Sequence, residues 1–286
     1  MTLDPTPRTG LLTAFQPEWE ALVQHIDGGD ALEIAGTRFL CGRLAGRAVV
    51  IAMSGMSMVN AAMTAQAMID HFAVDQLLFT GIAGGIDPEV RVGDVIVPER
   101  WAQSLEVIFG RATADGFQKP NWLTWAAPLP PFGMMLPNTV VVGAPGRTAS
   151  PRLWFPVDER LLAIARTLEP VDLADTEGGG RKLSHRPRLH VGGGAVSASA
   201  FIDNLAYREY LFATFQARIA DMESAAVAQV AFANNVPFIA FRSASDLAGA
   251  DDAANEMDVF MHLAAQNSLR VVLPFLKALT AGSKRA

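Results

Sequence analysis

Apolar residues along this chain fall into short continuous runs separated by stretches with helical spacing, and that alternation predicts an α/β protein. Residues 11–15 form a short apolar run followed by Gln16-Pro17-Glu18-Trp19-Glu20, which predicts a strand and then the first turn of a helix. Three β-like stretches between 31 and 54, broken at Gly36, Gly42 and Gly46, predict a meander. Ala and Met then recur at helical spacing over 58–72. Residues 76–80 read as a buried strand running into Gly81-Ile82-Ala83-Gly84-Gly85, a predicted loop whose backbone can approach a ligand closely. Residues 92–97 predict another strand, with Gly93-Asp94 at its start.

From 101 to 155 no period survives. The stretch is rich in prolines and aromatics, among them Trp101, Trp122, Trp125 and Phe155, and reads as an extended excursion packed by its own aromatics rather than a separate domain. Beyond it the pattern predicts a helix over 156–168 and a polar, glycine-rich surface loop over 169–186. A strand over 189–196 contains Gly192-Gly193-Gly194, a helix spans 204–215, and a long terminal helix over 256–280 is kinked or interrupted at Pro274. Strands alternating with helices, preceded by a meander, predict one three-layer α/β sandwich domain, residues 1–286, around a mixed central sheet.

Two acidic clusters flank one helix–strand unit in this pattern. Asp221-Met222-Glu223 precedes an Ala-rich helix over 224–235, and Asp246 ends the run Phe238-Ile239-Ala240-Phe241-Arg242-Ser243-Ala244-Ser245-Asp246. One carboxylate then opens a helix and the other sits just past the C-terminal end of a strand, the edge at which open α/β sheets bind ligands. Two carboxylates meeting in one crevice make a candidate acid/base site. The plainer alternatives are that Asp246 caps a helix and that Glu223 complements a helix dipole.

Composition narrows the classes. Half of the 286 residues are apolar, 18% are charged, and the net charge is −6. This is a compact globular chain with nothing that favours a nucleic-acid or anionic-membrane partner. Cys41 is the only cysteine, so neither an intrachain disulfide nor a cysteine zinc site is available. The first ten residues hold Pro5 and Pro7 and no apolar core, unlike a secretory signal, and no run of eighteen apolar residues is present. A cytoplasmic protein is the expectation. The five histidines lack ligand spacing, and the Gly81–Gly85 segment has neither a P-loop tail nor a dinucleotide context.

Three places taken together resemble the nucleoside phosphorylase/nucleosidase superfamily. They are Thr80-Gly81-Ile82-Ala83-Gly84-Gly85 followed by Val92-Gly93-Asp94-Val95-Ile96-Val97; Asp221-Met222-Glu223-Ser224-Ala225-Ala226; and Arg242-Ser243-Ala244-Ser245-Asp246. The branch most similar is that of the 5′-methylthioadenosine/S-adenosylhomocysteine nucleosidases. The resemblance implies cleavage of a ribosidic C–N bond through an oxocarbenium-like transition state. It also implies a purine nucleoside as small-molecule ligand, a homo-oligomer, and no metal or organic cofactor. By the same resemblance Asp246 protonates the leaving purine and Glu18 activates the attacking water. Glu223 holds the ribose hydroxyls and Met222 packs under the sugar. Phe201 stacks on the base beside Ile202; Ser245 and Gly84 complete the base and sugar site; Phe15, Met56 and Phe260 surround the 5′ substituent.

The nucleophile distinguishes a nucleosidase from a phosphorylase. A phosphorylase must hold a dianion and needs arginines and hydroxyls there. The matching places here are Gln16-Pro17-Glu18, Phe79 and Ile82, none of them basic, which favours water. Phosphorolysis and a non-catalytic nucleoside-binding or storage role are the alternatives. Ser199, where the family usually has aspartate, and Ile82, in place of a serine, depart from the nucleosidase pattern.

Overall fold

The structure, a computed structural model, describes residues 3–168, 170–250 and 255–283. The first two residues of the N-terminal segment and the first residue of the polar loop, both read above, lie outside them. Its hub is the fourteen-residue strand Phe72–Gly85. On one side this strand pairs in parallel with Asp4–Thr13, which pairs in parallel with Arg47–Met53. Antiparallel Thr37–Leu44 and Asp27–Ile34 complete the expected meander. On the other side the hub pairs in parallel with Phe238–Asp246. Near its end it meets Ala217–Asp221 in antiparallel sense. From there Gly194–Ser197 and Arg100–Gln103 follow in parallel, and antiparallel Phe155–Pro156 ends the row. The central sheet is therefore mixed.

Helices cover it in two groups. Met58–His71 packs with Ser224–Ala233, and Gln16–Val23 and Glu159–Arg166 pack with Met257–Ser283. Phe241 of the sheet meets Phe275 of the last helix edge-on at 4.9 Å. Polar groups inside this layer are paired, as burial requires. Ser268 Oγ donates to Phe241 O at 2.8 Å, and Asn267 Nδ2 donates to Gly93 O at 3.0 Å.

Several expectations change, and the strand expected over 92–97 begins only at Val95. The Gly81–Gly85 segment is strand, not loop, because its backbone keeps ladder partners from Arg242↔Gly81 through Asp246↔Gly84. The strand expected over 189–196 splits into Leu189–Val191 and Gly194–Ser197, since Gly192 and Gly193 take φ of +115° and +79° and turn the chain out of the ladder. The helix expected from 156 begins at Glu159, capped by the Asp158 side chain. The excursion is extended in three antiparallel ribbons, and of its aromatics Trp122 and Trp125 meet edge-on at 6.0 Å. Trp101 and Phe155 are fully buried in the main sheet, and Phe132 packs on Tyr207 at 5.1 Å, whereas Trp122 is 69% exposed.

The terminal helix runs unbroken through Pro274. Met257–Thr280 is long and apolar enough, by length and composition, to cross a membrane, but 61% of it is buried against this fold, as in a core helix.

Candidate active site

The C-terminal ends of Phe72–Gly85 and Phe238–Asp246 lie side by side, and the cleft above them has a volume of about 580 Å³, mouth included. Glu18, Glu223 and Asp246 all line it. So do Phe15, Met56, Gly84, Phe201, Ile202, Met222 and Ser245. Phe260 does not: it packs with Val92, Leu183 and Leu263 in a separate cluster. Met257, the first residue of the last helix, lines the cleft, and Phe260, nearly a turn further along the helix axis, packs with Val92 and Leu183 instead.

Glu18 arrives from the first turn of its helix. Its Oε2 accepts from the main chain of Ala14 at 2.5 Å and Phe15 at 3.4 Å, and Oε1 accepts from Ile82 N at 2.9 Å and Arg242 Nη1 at 3.5 Å. Burial pushes its pKa up, against the pull of Arg242 and these N–H groups. The approach is possible because residue 81 is glycine. A Cβ there would lie 2.1 Å from Glu18 Oε1 and 2.6 Å from Arg242 Nη1.

Glu223 stands at the N-cap position of Ser224–Ala233, yet its side chain does not cap. The capping falls to Asp221, whose Oδ1 accepts from Glu223 N at 3.2 Å and Ser224 N at 3.1 Å. Glu223 is thereby released toward the cleft, where Oε1 accepts from Ser57 N at 2.9 Å and Oε2 from Arg242 Nη2 at 3.3 Å. Burial raises its carboxyl to about 7; Arg242 opposes the rise, and the neighbouring charges of Asp221 and Glu18 add to it.

Asp246 is the last residue of its strand and caps no helix. Its Oδ1 accepts from Ala248 N at 2.8 Å and its Oδ2 from Ser245 Oγ at 2.9 Å. With 4% of its surface exposed, burial raises its pKa above the ordinary carboxylate range, opposed by these bonds. That shift favours the protonated form of a carboxyl facing the cleft, the direction a general acid needs.

The residue that sequence reasoning passes over is Arg242. It is wholly buried and lies within 3.5 Å of Glu18, 2.8 Å of Asp221 and 3.3 Å of Glu223, with its guanidinium 4.1 Å over the Phe79 ring. One cation thus gathers three carboxylates that a desolvated pocket would otherwise drive apart. Its signal in the sequence is a lone arginine inside a nine-residue strand that is buried at every position. Among the described residues no basic side chain lines the cleft, and no cluster of metal-ligating residues is present.

Residues 8–277 match the family model of the Phosphorylase superfamily. The chain belongs to that superfamily. Its relatives within it include a 5′-methylthioadenosine/S-adenosylhomocysteine nucleosidase of Mycobacterium bovis, 30% identical over 280 residues that span 95% of this chain and 98% of the relative. A nucleosidase of the same name from Tolumonas auensis is 28% identical over 95% of this chain and the whole of its own. Among solved superfamily structures, the nucleosidase of S. pneumoniae with the transition-state inhibitor MT-ImmA superposes with a TM-score of 0.70 at 26% identity, covering 95% of this chain and 99% of that one.

Proposed function

We propose that this superfamily member hydrolyses the N-glycosidic bond of a purine nucleoside with a 5′-thio substituent, 5′-methylthioadenosine or S-adenosylhomocysteine, giving adenine and the free thiosugar. The observation that carries the reading is the division of one cleft among three differently held carboxylates. Asp246, whose protonated form burial favours, gives its proton to the leaving purine. As the C–N bond breaks, positive charge grows on the ribosyl ring, and ionised Glu223 stabilises that charge while accepting from the ribose hydroxyls. Glu18, which lines the cleft, takes the proton of the attacking water. Met222 lies under the sugar, and Phe201 and Ile202 receive the base beside Gly84 and Ser245.

Water is favoured over phosphate on electrostatic grounds. Arg242 is the cation of the site, and it is enclosed and already matched by carboxylates. A phosphate dianion would meet Glu18 with no free cation to hold it. Phe15, Met56 and Met257 offer apolar surface to a thioether, so a nucleoside panel is expected to give adenine fastest from 5′-methylthioadenosine and slowly from adenosine. Equal rates for the two would overturn the 5′ assignment.

The pH dependence follows from the protonation states required. Asp246 must keep its proton, so kcat/KM falls as pH rises through its elevated pKa. Glu223 and Glu18 must be ionised, so kcat/KM also falls as pH drops below about 7, the value to which Glu223 is raised. The acid limb belongs to the Glu18–Glu223 pair, not to either residue alone. A rate that is flat from pH 5 to 8 would contradict this. The same reading includes a homo-oligomer: Met56 at the cleft, and Val59 and Met63 on the helix that follows it, are 55–67% exposed and suit burial by a second copy. Light scattering that shows a fully active monomer would exclude it.

A further inference from the structure

Ser57 has a backbone conformation that serine rarely adopts. Its φ of 85° and ψ of 153° lie in the region that is essentially reserved for glycine, and such strain persists only where the surroundings over-determine it. Ser57 is also the N-cap residue of Met58–His71, the position at which a serine hydroxyl normally accepts from its own helix, yet no such bond is made. Instead Ser57 Oγ reaches across to Ser199 Oγ at 2.9 Å, while Ser57 N donates to Glu223 Oε1 at 2.9 Å.

Both ends of this bridge sit on segments that build the cleft. Met56 precedes Ser57, and Phe201 and Ile202 follow Ser199 within three residues. The bond therefore joins the loop that touches the sugar anchor to the loop that carries the base platform. We infer that Ser57 and Ser199 form a clasp in which the hydroxyl pair holds Ser57 in its strained conformation, keeps its N–H on Glu223, and fixes the Phe201 loop over the cleft. In this role the two serines are positioning residues for the reaction proposed above, and the inference rests on that reading.

Three variants separate the clasp from simple structural support. Ser199→Ala removes one hydroxyl at an exposed position. Ser57→Gly removes the other and relieves the backbone strain, so it is expected to melt no lower than the parent protein. Ser57→Gly combined with Ser199→Ala tests coupling. Each single variant is expected to lower kcat/KM about tenfold through misplaced sugar and base contacts, and the double variant to be no worse than the poorer single one. The acid limb of kcat/KM is expected to move to higher pH in Ser199→Ala, where Ser57 is released from its strained conformation and Glu223 loses a hydrogen bond to its ionised form, and to stay in place in the two variants that carry Ser57→Gly, since glycine holds that conformation unaided. Arg242, Asp221 and Glu18, the charged groups that face Glu223, stay in place. Additive losses, or an unmoved acid limb or unchanged kcat/KM in Ser199→Ala, would overturn the clasp. If the parent protein cleaves no nucleoside, the functional reading fails first; if it cleaves and Ser199→Ala matches it, only the clasp fails.

Discussion

Replacing Asp246 with asparagine is expected to reduce kcat by roughly 10²–10⁴-fold while leaving substrate affinity and melting temperature close to those of the parent protein. Asparagine has the shape of a protonated aspartate, so Oδ1 can still accept from Ala248 N, bonded at 2.8 Å in the native protein. Burial favours the neutral form of Asp246, so a neutral side chain of the same shape suits the site. What asparagine cannot do is release a proton to the departing base. The residual activity should also lose the alkaline limb of its pH profile, because the group that titrates there is gone. A variant that turns over at the native rate would remove Asp246 from the mechanism.

Gly81→Ala is expected to be the most damaging single-methyl addition in the chain. The new Cβ would fall 2.1 Å from Glu18 Oε1, 2.5 Å from Glu18 Cδ and 2.6 Å from Arg242 Nη1. None of these can retreat easily. Glu18 is tied to the main chain of Ala14 and Ile82, and Arg242 is wholly buried among Glu18, Asp221 and Glu223. Overpacking of a tight core costs about 1–3 kcal/mol, and disrupting a buried ion pair costs about 3–5 kcal/mol. The expected result is a loss of at least about 3 kcal/mol in unfolding free energy by denaturant titration, with activity lost even where the protein remains folded. By contrast Gly36→Ala meets nothing within 4 Å, although φ of +78° strains it, and should cost activity little. Equal effects of the two substitutions would refute the packing argument at Gly81.

Much of this site is legible in the sequence because its chemistry lies at the ends of regular elements. The buried run that ends in Asp246 and the Ala-rich helix that begins after Glu223 each mark their own boundary, so the residue pattern alone puts both carboxylates at one sheet edge. Glu18 is legible for the same reason, as an acid in the first turn after a strand. Glycine is harder to interpret. Gly81 reads as loop chemistry, but its role is to admit Glu18 and Arg242 to a strand that never leaves the sheet. Arg242 is hidden because its partners come from three separate segments, and only the fold shows that one guanidinium serves all of them. Phe260 is misplaced because the cleft takes Met257 at the start of the last helix, and the residue pattern does not show how far along that helix the cleft reaches. The Ser57–Ser199 bridge spans 142 positions and depends on a backbone angle that no residue pattern announces.

The central claim, that water and not phosphate attacks the sugar, is tested most directly by one measurement: cleavage of 5′-methylthioadenosine in water labelled with heavy oxygen, with and without inorganic phosphate, and the sugar product analysed by mass spectrometry. The account predicts one labelled oxygen on the anomeric carbon of free methylthioribose, at a rate that phosphate does not change. A methylthioribose 1-phosphate product, formed only when phosphate is present, would contradict it.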